Sequence, residues 1–297
     1  MAYSREQLKQ IVEKIQSLPT IAKIGARVIE LASSPDVSMH DLSQAIHQDP
    51  SLAARVLKVA NSPFYGMPRQ VDSLQLALVI LGLTEVQNIA LSLSVFNIVK
   101  NMNSHVTYNR EQFWLHSTGC GIVAKILAHA LGLRNEGTDF AAGLLHDMGK
   151  IVIDEFFADE SHLIHEKMTN RRVCMLDAEV EVLGESHAPV GGWLARRWRL
   201  PDTLCDGITH HHDSQGSLPA QSIKDPKLAA LSYVAEGFCG RHEIGWDGDG
   251  NTCDVKSREA WDVLLSGHKK HTWKDVDKIL EQALQTYRET RPHMLWE

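Results

Sequence analysis

Apolar residues in this chain recur at three- and four-residue steps, and that spacing constrains the fold more than any other feature. In SLPTIAKIGARVIELASS, Ile21, Ile24, Val28 and Leu31 fall on one helical face. The next unit, VSMHDLSQAIHQDP, repeats the pattern, with Ser38 as N-cap ahead of Leu42, Ala45 and Ile46. Asp49 then caps a helix that opens on Pro50, PSLAARVLKVANS, and Asn61-Ser62-Pro63 ends it. LQLALVILGL and TEVQNIALSLSVFNIV read as a helical pair joined at Gly82. Period-two alternation is almost absent, so the chain is expected to be nearly all α.

A polar stretch, KNMNSHVTYNRE, marks a boundary near residue 105. It divides an N-terminal helical lobe, 1–105, from a helical bundle, 106–297. The bundle holds FWLHSTGCGIVAKILAHALG, AAGLLHDMGKIVI, a helix around MLDAEVEVLGESHAPVGGWLARRW, then ITHHHD and PKLAALSYVAEGFCG. A polar loop from about 241 to 258 and an amphipathic helix in WKDVDKILEQALQTYRET close the chain.

The net charge of −7 opposes a surface built to neutralise nucleic-acid phosphates, and no Lys/Arg-rich recognition helix is present. Nucleic acid is therefore not an expected partner. The longest apolar run, LQLALVILGL, is shorter than the roughly 20 residues of a bilayer span, and MAYSREQLKQ has no apolar signal region. The expectation is a cytoplasmic protein without membrane attachment. Cysteines 120, 174, 205, 239 and 253 form no CxxC pair and are expected to be reduced thiols, mostly buried. WDGDGNTCD resembles a calcium loop only superficially. Its glycine position holds Thr252 and its twelfth position Arg258, so a turn is expected instead.

The unusual count is histidine, at sixteen. His116, His146, Asp147, His187, His211 and His212 all lie within or at the ends of helical segments of the second half. Imidazoles with a bridging carboxylate suit Fe, Mn or Zn better than Mg or Ca. An adjacent His-Asp pair can serve two ions, one per carboxylate oxygen, and such pairs promote phosphoester hydrolysis. A single histidine is ordinarily a surface or satisfied core residue. Asp147, however, follows an apolar run, where a charge is costly unless paired or ligating. One or two bound transition-metal ions are expected.

The chain resembles the HDOD proteins, a branch of the HD superfamily found in bacterial signal transduction. The resemblance is carried by LPTIAKIGARVIELASS, DPSLAARVLKVANSPFYG, LALVILGLTEVQNIALS, FWLHS, AAGLLHDMGKIVI, ESHAPVGGWLARRWRLP and ITHHHD. It implies an N-terminal helical lobe packed on an HD-type bundle. It also implies a ligand set taken from the related HD-GYP phosphodiesterases, in which His116, His146, Asp147, His187, His211 and His212 match an early His, the HD pair, a His before a Gly-containing helix and a His-His pair. His210 is outside that set. The late Asp of those enzymes aligns with Tyr233, a poor substitute at a pKa near 10. Gln112 stands where a three-metal variant has Glu, and HHDSQGSLPAQ lacks the GYP motif. Lys150 matches a lysine that contacts substrate phosphate, and reads equally as a helix-face lysine. ANSPFYG matches a family signature and reads physically as a helix terminator.

These readings lead to a bacterial signalling protein that acts mainly through contacts with signalling proteins supplied in trans, with a metal at the HD-type site. The alternative is a metal-dependent phosphohydrolase on a nucleotide, cyclic dinucleotide or other phosphoester. In that case Asp147 would bridge the ions and Lys150 would steady the phosphate.

Overall fold

The structure is a computed structural model and describes residues 2–15, 27, 38–61, 67–101, 109–133, 137–213, 223–245, 253–267 and 270–294. The helix expected around Ile21–Leu31, the Phe64–Tyr65 turn and residues 246–252 of the polar loop lie outside the described residues. Among those described, every regular element is helical, as the periodicity predicts.

Contacts divide the chain into two compact units: residues 1–18 with 101–284, and residues 19–100 with 285–297. In the second unit, α2 (Met39–His47) and α3 (Pro50–Ala60) pack together. Ser38 caps α2 by accepting from Asp41 N, and Asp49 caps α3 by accepting from the backbone of Ser51 and Leu52. Leu42, Ile46, Leu52, Val56 and Leu78 are buried in its core. The span α4 (Leu74–Asn101) is two helices broken at Gly82, whose φ of 76° and ψ of 165° suit glycine alone. By length and composition α4 is apolar enough to cross a membrane, because its apolar character continues past the LQLALVILGL run. More than half of its apolar window is buried in the protein, as in a core helix.

The first unit holds α1 (Arg5–Lys14), α5 (Arg110–Ala130), α6 (Thr138–Leu145), α7 (Met148–Phe156), α8 (Ala158–Arg171), α9 (Met175–Leu183), α10 (His187–Arg197), α11 (Asp202–Thr209), α12 (Pro226–Arg241) and α13 (Arg258–Leu265), with α14 (Val276–Met294) as far as Leu284. Helix α8 was not foreseen. The single helix expected around 175–198 is two, separated where Gly184 takes φ 91°. Helix α1 packs on α10, and Tyr3 ties to the α9 end through its N–H to Leu183 O at 3.0 Å. Local periodicity does not encode that pairing. Helices α5, α6 and α12 pack mutually, and α10 packs on both α7 and α11.

Candidate metal centre

Helix ends and breaks bring the predicted residues to one place. Helix α6 stops at Leu145 and α7 starts at Met148, so His146 and Asp147 occupy the junction. His187 is the first residue of α10, His211 and His212 follow the end of α11, and His116 projects from within α5. Gly149 sets the approach of α7 to α10, since a Cβ there would lie 1.9 Å from His187 O.

Asp147 is the hub. Its Oδ1 lies 3.1 Å from His187 Nε2 and 3.9 Å from His211 Nε2. Its Oδ2 lies 3.3 Å from His146 Nε2 and 4.0 Å from His116 Nε2, and accepts from Lys150 Nζ at 2.9 Å. His212 Nε2 is 3.0 Å from His187 Nε2. Asp147, His187, His211 and His212 each offer a donor atom within 4.8 Å of the others.

Outer partners fix the imidazoles. His146 Nδ1 faces Gly143 O at 2.8 Å and His211 Nδ1 faces Ile208 O at 2.7 Å, so each ring donates outward and turns its Nε2 lone pair inward. Glu179 Oε2 accepts from both Nδ1 and the backbone N–H of His187. His146 Nε2, Asp147 Oδ1 and His211 Nε2 are buried and make no hydrogen bond. Buried polar atoms are rarely left so, and three converging on one place is the environment a cation satisfies. Nitrogen donors around one carboxylate fit Fe, Mn or Zn.

The charges follow from this packing. Burial raises the carboxyl of Asp147, but His146 and Lys150 beside it outweigh that and hold it well below the usual range. Burial lowers His187, but the carboxylates of Glu179 and Asp147 prevail and raise it to about 10. His146 is likewise raised, burial being outweighed by Asp147. His211 and His212 are pushed well below the ordinary histidine value by burial and then by neighbouring imidazoles.

Lys150 is fully buried against Asp147, not a lysine on an exposed helix face. His210 turns to Asp213 instead, at 2.6 Å. Three residues near the cluster were not foreseen: Glu179, Glu236 and Cys253. Glu236 on α12 offers a carboxylate oxygen within 4.8 Å of donors on His146 and His211, one helical turn beyond Tyr233. Both glutamates are buried on otherwise apolar helix faces, and that misplaced charge was the available signal.

The model of the HDOD domain matches residues 18–214. A solved structure of an HDOD domain protein with unknown function from Geobacter sulfurreducens superposes with a TM-score of 0.82 at 26% identity, covering 99% of each chain. An uncharacterised protein of Treponema pallidum is 27% identical over 206 residues, 68% of this chain, which spans 39% of that relative. Ribonuclease Y of Thermus thermophilus is 32% identical over 122 residues, 41% of this chain and 16% of the enzyme. With the family model covering well over half of the sequence and an all-helical structure of matching fold, the chain belongs to the HDOD domain family.

Proposed function

We propose that this HDOD protein is a signalling module that acts mainly through protein–protein contacts with partners in trans, and that it carries a transition-metal ion among His116, His146, Asp147, His187, His211 and His212. Burial carries the reading. His146, Asp147, Lys150, His187 and His211 all have 0% exposure, which suits a sequestered structural or sensory ion better than a site that must admit a phosphoester. Asp147 and the outward-donating imidazoles hold the donor atoms in place without the ion, so loading needs little rearrangement.

Glu236 favours a second reading, a metal-dependent phosphohydrolase, because it supplies a carboxylate beside the histidines despite Tyr233. The similarity to a ribonuclease over 122 residues supports it too. Bound there, a metal would supply Lewis acidity toward a phosphoryl oxygen. Asp147 would then orient the donors and Lys150 would place positive charge beside it. Assay of metal-loaded protein against nucleotides, cyclic dinucleotides and simple phosphoesters separates the readings. The adaptor reading expects metal bound and no turnover above that of Asp147→Ala. Turnover abolished in a folded Asp147→Ala variant would establish the hydrolase instead.

A further inference from the structure

Beside the HD-type cluster, the segment after the polar loop is held by two contacts to α12 and a third to α13. Tyr233 Oη accepts from Asp254 N at 3.1 Å. Gly237 lets the chain come so close that a Cβ there would meet Cys253 O at 2.6 Å and Val255 N at 2.8 Å. Trp261 Nε1 donates to Val255 O at 2.8 Å. The result is a buried thiol presented to the edge of the cluster. Cys253 Sγ lies 3.1 Å from Glu236 Oε2 and 3.5 Å from His212 Nδ1, and those two atoms are 3.8 Å apart.

We propose that His212, Glu236 and Cys253 form a further cation site, distinct from the inner His/Asp position, that takes a thiophilic divalent ion such as zinc or cobalt. Donors around a tetrahedral zinc, with bonds of 2.0–2.3 Å, stand about 3.3–3.8 Å apart, and the three separations here bracket that range. The soft thiolate and the borderline imidazole select against Mg and Ca, while the carboxylate is a hard donor that zinc and cobalt also accept. Glu236 also offers a carboxylate oxygen within 4.8 Å of donors on His211 and His146, which ties this edge to the inner position. His212 carries one lone pair when neutral. An ion on Nδ1 leaves Nε2 beside His187 Nε2 at 3.0 Å, a contact already present. The inner position then keeps Asp147 Oδ1, His146 Nε2 and His211 Nε2, whose missing partners are unaffected. Binding at the edge releases the thiol proton to solvent.

This inference rests on the metal-centre reading and extends it. The full chain, stripped of metal and loaded with cobalt(II), is read by absorption and by ions bound per chain. The expected result is a sulfur-to-cobalt charge-transfer band in the near ultraviolet, lost with one ion per chain in Cys253→Ser and retained in Cys120→Ser, the control for the thiol beside His116. Cobalt bound without that band, or a band that survives Cys253→Ser, overturns the edge site while leaving the inner centre standing. No cobalt bound at all overturns both. Should Cys253→Ser fail to fold, zinc-loaded wild type decides by X-ray absorption. A sulfur neighbour at about 2.3 Å supports the site and its absence overturns it.

Discussion

Glu179 holds His187 through a single carboxylate oxygen, which accepts the backbone N–H at 2.9 Å and faces Nδ1 at 2.7 Å. The pair is fully buried, and it makes the ion-free protein pH-dependent in a definite direction. The folded value of His187, about 10, lies above the ordinary value of about 6.5. Its contribution to stability is therefore complete below about pH 6.5 and lost as pH rises through about 10. Urea unfolding of chelator-treated protein should show stability falling across that window. One proton contributes a slope of at most about 1.4 kcal/mol per pH unit. Glu179→Gln should flatten this slope, and an unchanged slope in that variant would contradict the assignment.

Asp147 and Lys150 are a buried ion pair, and breaking one side should be expensive. Asp147→Ala is expected to cost about 3–5 kcal/mol, because the ammonium loses its carboxylate in a dry interior. Asp147→Ala combined with Lys150→Met should recover much of that loss in urea midpoints. Strictly additive single and double variants would show that the two side chains do not interact.

Gly149 should tolerate no side chain. A methyl group would enter the His187 carbonyl, which is backbone of a packed helix and has no rotamer to move. Gly149→Ala is expected to destabilise by about 1–3 kcal/mol or more. It should also lower metal retention, because α7 and α10 carry Asp147 and His187. Wild-type stability and metal content in this variant would rule out the tight approach.

Tyr233 occupies the place where related enzymes are expected to have a carboxylate, and its hydroxyl instead fixes the backbone of Asp254. Tyr233→Phe leaves that N–H without its acceptor and should cost about 1 kcal/mol by thermal or urea unfolding. A neutral substitution would mean the hydrogen bond is replaced by solvent.

The helices were legible where apolar spacing and caps coincide. Ser38, Asp49 and Pro50 mark two helix starts correctly, and Gly82 marks the break inside α4, because these signals are local and steric. The His/Asp set was legible as residue types, and the structure brings all six together. What could not be read is what depends on tertiary approach. Gly184 ends a helix in mid-pattern, Gly149 permits contact with a helix many residues away, and Tyr3 pairs with Leu183. The family resemblance pairs the late Asp with Tyr233, whereas the carboxylate beside the site, Glu236, comes one turn later on the same helix.

Metal content tests the central claim most directly. Protein purified from cells supplied with iron, manganese and zinc should hold at least one of these ions per chain. His211→Ala should lose the ion while keeping its helical circular dichroism, since that ring contributes an inward nitrogen with no other partner. Wild-type protein that folds normally without stoichiometric transition metal, and takes up none on titration, would contradict the account.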